Sequence, residues 1–244
     1  MEMITRLNEP TIDIEQMTRE VLRRLSARAN GKANGGEPAP EVRYVNGLKG
    51  LQVPIGVSVR HVHLCPEHIE ILFGPGHDLQ IYNELYQKGY YAAKEQVMVV
   101  GRKRCIEKVR VLGPPRSFSQ VELAQTDATA LGLKLPVATE GTEPGTQPIT
   151  LVGPEGAVAL SGGAGGGAFL ARRHIHMSDD TAEKLGVKAG DLLDLRVDGI
   201  RPTTLHGLLV RVKAGWRTEV HLDTDEANAC GIRNGQLATL IIPA

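Results

Sequence analysis

The sequence repeats one short motif, an arginine followed by two histidines that a single apolar residue separates. The two copies are residues 60–64, with the sequence RHVHL, and residues 173–177, with the sequence RHIHM. An apolar, strand-like run precedes each copy, at residues 53–59 and at residues 168–171. Because side chains at positions i and i+2 of a strand point to the same face, the histidines of each copy are predicted to project side by side. Two imidazoles on one face make half of a transition-metal site.

A second repeat predicts short helices. A polar residue, one or two turns rich in alanine, a glycine and an apolar residue follow one another at residues 126–133, 180–187 and 225–232. This is the order that helix caps require. A further short helix is predicted at residues 66–72, and strand-like segments lie between the helices. The sequence therefore predicts a mainly β fold, in which two similar β-barrel domains are capped by short α-helices and a metal site lies at their interface.

The domain boundaries follow from where the repeats fall. We expect residues 60–171 to form a central β-barrel, and residues 172–244 to form a second β-barrel that the strand at residues 50–59 completes. A glycine-rich run at residues 161–167 lacks the Gly-Lys-Ser/Thr ending of a phosphate-binding loop, and a strand rather than a helix follows it. We interpret this run as a flexible connection between the domains.

The N-terminal part of the chain has a different character. Apolar residues recur at helical spacing in residues 11–25, with acids early and arginines late, which is typical of a short amphipathic helix. Residues 26–40 are rich in Gly, Ala, Asn and Pro, as in a flexible linker. A helix this short is marginal alone in water. We therefore interpret residues 1–40 as a docking peptide with its linker.

Composition excludes some classes of partner. The formal net charge is zero and aromatic residues make up 4% of the chain, so nothing favours binding to nucleic acid or to an anionic membrane. No apolar run has the length of a membrane span. The three cysteines are scattered and lack a Cys-x-x-Cys spacing, which favours a reducing compartment. We expect a cytoplasmic protein.

Three further residues are candidates for the site. His221 lies between apolar residues in a predicted strand and would complete a three-histidine set with His174 and His176. Glu122 is also flanked by apolar residues, and an acid is costly to bury unless it is paired or bound to a metal. Arg116 stands in a proline-stiffened loop. On pattern alone, Glu122 and Arg116 would be interpreted as ordinary surface residues.

Four motifs together resemble a known family. They are RHVHL at residues 60–64, GPPRSFSQVELAQTDATALGL at 113–133, RRHIHM at 172–177 and EVHLDTDEANAC at 219–230. Their sequence and order resemble those of the PduL-type phosphotransacylases, the phosphate propanoyltransferases of bacterial microcompartments, over residues 50–244. The resemblance implies two capped β-barrels that interconvert acyl-CoA plus phosphate with acyl phosphate plus CoA.

The resemblance also implies roles for individual residues. It implies two divalent metal ions, zinc in the usual case, of which one is bound by His61, His63 and Glu122 and the other by His174, His176 and His221. By the same likeness, Arg116 is the phosphate-binding arginine. The chemistry then predicts direct attack of metal-bound phosphate on the thioester without an acyl-enzyme, so that Cys65 is interpreted as a helix-cap thiol rather than a nucleophile. Three basic residues near a turn are weaker candidates for contact with the CoA phosphates: Arg102, Lys103 and Arg104.

Family members that work inside protein shells often carry an N-terminal amphipathic peptide, and residues 11–40 are similar to one. We therefore expect the chain to reside in a bacterial microcompartment, to contact shell or cargo proteins through residues 11–25 and to form a homo-oligomer. Two other functions stay open on the residues alone. One is a metal-dependent thioester hydrolase with water as nucleophile, and the other is a non-catalytic, metal-stabilised docking protein.

Overall fold

The computed structural model describes residues 42–45 and 48–242. The predicted docking peptide at residues 11–25 and its linker lie outside the described residues. None of the helices in the described part of the chain combines the length and the apolarity that crossing a bilayer requires.

Sixteen strands and four short α-helices follow one another within residues 42–45 and 48–242. The strands are β1 (Val42–Val45), β2 (Leu48–Ser58), β3 (His61–His63), β4 (Ile81–Glu84), β5 (Tyr91–Val100), β6 (Cys105–Gly113), β7 (Gln120–Leu123), β8 (Val137–Ala138), β9 (Ile149–Val152), β10 (Ala157–Leu160), β11 (Ala168–Ala171), β12 (His174–Met177), β13 (Leu192–Val197), β14 (Thr203–Val212), β15 (Glu219–Asp223) and β16 (Leu237–Ile242). The helices are α1 (Pro66–Phe73), α2 (Gln125–Leu131), α3 (Asp179–Leu185) and α4 (Thr224–Cys230).

The strands form two sheets, one of them closed. Six strands pair in the order β2-β15-β12-β14-β13-β16, and β16 pairs again with β2, so that this sheet is a barrel with β1 as a hairpin partner of β2. The other sheet runs β10-β9-β5-β6-β3-β7-β11-β8, with β4 added on β5, and it curls without closing. The prediction of a mainly β protein with two barrel-like sheets capped by short helices is confirmed; one sheet is a complete barrel and the other is a curled half-barrel.

Each sheet surrounds its own hydrophobic core. In the closed barrel, the side chains of Leu193, Leu195 and Val197 on β13 are buried, whereas the side chain of Leu192, the first residue of the strand, is exposed to solvent. This alternation is what a strand with one inward face requires. The curled sheet buries a second cluster that includes Val62 on β3, directly between the two histidines of the first motif. The apolar residue of each motif thus anchors its strand in a core while the histidines face away from it.

Both ends of α4 carry the caps that the sequence pattern predicts. At the start of α4, the Asp223 carboxylate accepts a hydrogen bond from the backbone N–H of Glu226 at 2.8 Å, and the Glu226 side chain accepts one from the N–H of Asp223 at 3.1 Å. This reciprocal pair is a capping box. At the other end Gly231 has a φ of +67°, a left-handed conformation that glycine adopts without strain. The capping box thus lies where β15 ends and α4 begins.

The two histidine motifs occupy equivalent places in the two sheets. Strand β3 pairs antiparallel with β7, and the Cα partner of His61 is Glu122. Strand β12 pairs antiparallel with β15, and the Cα partner of His174 is His221. On its other side each motif strand has a parallel neighbour, β6 for β3 and β14 for β12. The two copies of the sequence repeat therefore form strands with the same pairing pattern, one in each sheet.

The interpretation of residues 161–167 as an inter-domain connection is wrong. This run joins β10 to β11, which both belong to the curled sheet. It turns tightly, with the N–H of Gly162 bonded to the carbonyl of Gly166 at 2.8 Å and the N–H of Gly163 bonded to Oγ1 of Thr146 at 2.8 Å. A Cβ at Gly166 would overlap the carbonyl oxygen of Ser119. The glycines therefore let the loop pack closely against the backbone just before β7.

Candidate active site

The first cluster contains the two histidines of β3 and the acid of β7. Glu122 places its carboxylate oxygens 3.4 Å from Nε2 of His61 and 3.5 Å from Nε2 of His63. Both imidazoles are buried, and Nδ1 of His63 has no hydrogen-bond partner. The three ligand atoms of the cluster lie within 4.8 Å of one another. Three potential metal ligands thus lie together in a largely buried place at the edge of the curled sheet's core.

The spacing of the first cluster fits a metal ion. Two ligand atoms about 2.1 Å from one tetrahedrally coordinated ion lie about 3.4 Å apart. This is the separation between Glu122 and the two imidazole nitrogens, and it is longer than an ordinary hydrogen bond. Histidine and carboxylate are ligands that zinc accepts, and three protein ligands leave one position for an exchangeable group.

The second cluster is built in the same way in the barrel. His174 and His176 project from β12, and His221 projects from β15. The ring centroids are 4.8 Å apart for His174 and His176 and 4.4 Å apart for His176 and His221. Nδ1 of His176 and Nε2 of His221 are buried without a hydrogen-bond partner. Three converging imidazoles, two of which have an unpaired buried nitrogen, also fit a divalent metal ion.

One histidine of each cluster is oriented by the backbone. Nδ1 of His61 lies 2.8 Å from the carbonyl oxygen of Val59, and Nδ1 of His174 lies 2.9 Å from the carbonyl oxygen of Arg172. Since a carbonyl oxygen only accepts, Nδ1–H is the donor in both contacts and Nε2 keeps its lone pair for a ligand bond. The two contacts occupy the same position in the two copies of the repeat, because in each the histidine contacts the carbonyl two residues before it.

Two polar neighbours that the sequence pattern did not indicate lie beside the clusters. The Gln120 amide donates a hydrogen bond of 2.7 Å to Glu122, two residues along β7. Glu219 occupies the equivalent place in β15, with its carboxylate 3.0 Å from Nε2 of His221 but off the direction of a hydrogen bond. The amide of Gln120 is thus a hydrogen-bond donor beside the carboxylate of Glu122, and the carboxylate of Glu219 is an acceptor beside the imidazole of His221. Aligning the two halves of the chain on their repeats would have revealed this pair.

Electrostatics differ between the clusters. Burial lowers the pKa of His61, but the charge of Glu122 and its contact with the ring outweigh burial, so that the pKa is raised overall. The histidines in turn hold the pKa of Glu122 well below its usual range against the effect of burial. In the second cluster burial and the His221 charge lower the pKa of His174 to about 3 and that of His176 to about 2. His174 and His176 are therefore neutral, the form in which imidazole binds a metal.

Both clusters line one cavity of about 600 Å³. Arg116, in the loop between β6 and β7, also lines the cavity. Its backbone N–H donates a hydrogen bond to the carbonyl of Leu64 at 2.9 Å. A second arginine, Arg211 of β14, lines the cavity from the barrel. The volume is in the range of sites that bind a drug-sized ligand or cofactor. The structure thus brings all seven candidate metal and phosphate residues of the sequence to one place.

Other candidates lie elsewhere. Arg102, Lys103 and Arg104 are exposed at the turn between β5 and β6 and do not line the cavity, so their contact with CoA phosphates stays a prediction that no feature of the cavity supports. Cys65 precedes α1, where its N–H is bonded to Oγ of Ser119 at 3.0 Å. Cys65 does not line the cavity.

Comparison with known proteins agrees with this geometry. The family model for phosphate propanoyltransferases matches residues 54–233. The chain belongs to the phosphate propanoyltransferase family. A phosphate propanoyltransferase of Lachnoclostridium phytofermentans is 43% identical over 229 residues, which are 93% of this chain and 98% of that protein. One of Planctopirus limnophila is 42% identical over 95% of this chain and 91% of its own length.

A phosphate propanoyltransferase of Thermotoga maritima is 45% identical over 188 residues, which are 77% of this chain and 88% of that protein. Membership of the phosphate propanoyltransferase family makes the protein an enzyme that transfers acyl groups. The matched residues 54–233 include both histidine motifs, Glu122, Arg116 and His221.

Proposed function

We propose that the protein interconverts a short-chain acyl-CoA plus phosphate with an acyl phosphate plus CoA, with propanoyl-CoA as its first expected substrate. The observation that carries the proposal is the convergence of two three-ligand clusters and Arg116 on one cavity. Phosphate is a poor nucleophile towards a thioester unless its charge is held and its oxygens are positioned. The cavity offers positive charge and fixed ligands for that task.

The two clusters would each hold one divalent metal ion, zinc by the nature of the ligands. His61, His63 and Glu122 would hold one ion, and the three histidines of the barrel would hold the other. When bound, two such ions neutralise phosphate charge and polarise the thioester carbonyl as Lewis acids. The protein's part is to orient the histidines, which the backbone contacts of His61 and His174 achieve, and to keep His174 neutral by burial.

Arg116 would bind the reacting phosphate. A guanidinium grips two phosphate oxygens in a fork, and such charge-assisted hydrogen bonds strengthen as water is excluded. Among the described residues the Arg116 side chain has no recorded hydrogen bond or salt bridge, so its donors are free to meet a ligand. Its half-buried position at the cavity wall favours an anionic ligand over solvent.

Phosphate would attack the thioester directly. The thiol nearest in sequence to the first motif, Cys65, does not line the cavity, and a buried serine hydroxyl lies 3.5 Å from its Sγ. An acyl-enzyme would need a nucleophile in reach of the thioester. We therefore expect Cys65→Ala to retain its rate with propanoyl-CoA, and loss of activity with trapping of an acylated cysteine in the wild type would contradict direct attack.

The deciding experiment measures thiol release from propanoyl-CoA with and without phosphate, on metal-loaded and on chelated protein. Release that requires both phosphate and metal supports the proposal, and Arg116→Ala should then lose most of the rate. Equal release without phosphate would identify a thioester hydrolase. No release from acetyl-CoA or propanoyl-CoA would leave a metal-stabilised docking protein.

We also propose that residues 1–40 dock the enzyme to shell or cargo proteins of a microcompartment, that the functional form is a homo-oligomer, and that residues 60–171 and 172–244, with 50–59, act as its two domains. Alignments that cover 93% and 95% of the chain extend N-terminal to residue 54, where the family model begins. Co-sedimentation of the full chain with assembled shells, lost on deletion of residues 1–40, would support docking. Equal co-sedimentation of the two forms would refute it.

A further inference from the structure

Arg211 is one of five arginines that line the cavity, and nothing in the resemblance or the proposed function uses it. Arg211 lies on β14, where it is the Cα partner of His176 on β12. Its side chain lines the same cavity as Arg116, and it is half-buried. Arg116 comes from the curled sheet and Arg211 from the barrel, so that the two guanidiniums approach from different walls of the cavity.

Within residues 42–45 and 48–242, neither guanidinium forms an ion pair with a carboxylate. Among the described residues the only recorded hydrogen bond of the Arg211 side chain goes from Nη2 to the carbonyl of Thr139 at 3.3 Å, and no salt bridge includes it. The contrast with another arginine of the cavity is clear, since Arg60 forms a 2.8 Å ion pair with Asp127. The contact with Thr139 leaves the remaining N–H groups of the Arg211 fork available to a ligand.

The two positive charges act on each other. Burial lowers the pKa of Arg116, the Glu122 carboxylate opposes this, and the charge of Arg211 adds to the lowering. Arg211 also contributes, after burial and His221, to the lowered pKa of His174 and His176. The nearby acid Glu143 is bound by the N–H of Thr139 at 2.7 Å. Glu122 and Glu143 offset part of the repulsion between the two arginines, and a bound anion would offset more of it.

We propose that Arg211 is the second arginine of a clamp on the reacting phosphoryl group, which is inorganic phosphate in one direction and the phosphate of the acyl phosphate in the other. This rests on the proposed function. Arg116 holds oxygens from the curled-sheet side and Arg211 holds oxygens from the barrel side, next to the second cluster. The same fork also fits the phosphates of CoA, and the experiment separates these two sources.

The test is steady-state kinetics of the full-length, metal-loaded enzyme in both directions, with Arg211→Gln and Arg211→Lys. The glutamine variant should raise KM for phosphate and for propanoyl phosphate about 10- to 100-fold, the effect of losing a charge-assisted hydrogen bond. KM for CoA and for propanoyl-CoA should change less than about threefold. The lysine variant keeps the charge and should recover part of the loss.

Arg196→Gln is the matched control. Arg196 lies on β13 of the same barrel with a side chain 43% exposed, does not line the cavity, and pairs only with exposed Asp198. The Arg196→Gln substitution removes the same charge as Arg211→Gln and should leave the KM of every substrate unchanged. Phosphate-dependent thermal stabilisation, measured without turnover, should be weakened by Arg211→Gln and not by Arg196→Gln.

The outcomes separate the inference from the function on which it rests. The Arg211→Gln effect on phosphate should persist with propanoyl-pantetheine, which lacks the nucleotide phosphates. A rise in KM for CoA alone would assign Arg211 to the CoA phosphates and overturn the proposal. An unchanged KM for phosphate in an active variant would also overturn it. Absence of phosphate-dependent thiol release from the wild type would refute the proposed function itself.

Discussion

Gly56 on β2 is the residue whose enlargement should report on the second cluster. It is the Cα partner of His221 on β15, and a Cβ built there would lie 2.8 Å from Oε1 and 3.1 Å from Cδ of Glu219. Ordinary contacts between heavy atoms lie near 3.5 Å, so the carboxylate must move by roughly half an ångström or more. Gly56→Ala should therefore displace Glu219 from His221 without touching any of the three histidines more closely than 3.5 Å.

The expected size of the effect follows from the role of Glu219. Removing the partner that orients a metal-binding side chain commonly reduces metal affinity 10- to 100-fold, or by about 1.4 to 2.7 kcal/mol. The fold should tolerate the change, because φ at Gly56 is not in the left-handed region and the displaced group is the end of a flexible side chain. We expect the overpacking to cost about 1 kcal/mol in the metal-free protein.

The assay is zinc titration of metal-free protein against a competing chelator, with the two clusters separated by a second background that carries His61→Ala. Gly56→Ala should weaken binding at the cluster of His174, His176 and His221 and leave the other cluster unchanged. A double-mutant cycle with Glu219→Ala completes the test. If Gly56→Ala lowers affinity equally in the presence and absence of the Glu219 carboxylate, the effect does not pass through Glu219 and the reasoning is refuted.

Three further outcomes are expected. Because burial depresses the pKa of His63 to about 4 and that of His174 to about 3, both below the unfolded value near 6.5, the metal-free protein should lose stability as pH falls from about 6.5 towards 4, by up to about 1.4 kcal/mol per pH unit for each histidine. Urea unfolding in chelator at several pH values measures this, and a midpoint that does not fall on acidification would contradict it. Arg60→Gln should lower the free energy of unfolding by about 1 to 3 kcal/mol, because it leaves the carboxylate of Asp127 buried without its partner; a loss no larger than that of Arg196→Gln would show that the pair is of no more value than a surface one. Gln120→Leu should weaken zinc binding at the first cluster by about tenfold and spare the second, since it removes the 2.7 Å hydrogen bond to Glu122; equal weakening of both clusters in the same titration would contradict this.

The sequence predicted those elements whose pattern is local. The i, i+2 spacing of His61 and His63 requires a strand for both side chains to face one way, and the structure has that strand. The helix starting at Thr224 carries its own cap and its own terminating glycine, so its position could be inferred without any knowledge of distant residues. The alternation of apolar and polar residues in a strand such as β13 is equally local, and it assigns the inward face of that strand.

The missed features depend on contacts between distant residues. Arg211 has no distinguishing neighbour along the chain, and only its register with His176 on β12 brings it to the cavity. The strand β4 was not predicted because all four of its residues are exposed and show no alternation. Glycine content at residues 161–167 predicted a loop but not which strands it joins, since composition contains no information on sheet membership.

Strand β2 has a consequence for how the chain is made. It lies at the start of the described chain, yet it closes the barrel by pairing with β15 and with β16 near the other end, as in the pair Leu51 and Leu240. The whole curled sheet is synthesised between these partners. During translation β2 can therefore pair only with β1 until β15 and β16 emerge from the ribosome, whereas all strands of the curled sheet emerge earlier. A chain stopped before residue 237 would contain every strand of the curled sheet, with the cluster of His61, His63 and Glu122, but it would lack β16, so that the barrel would stay open.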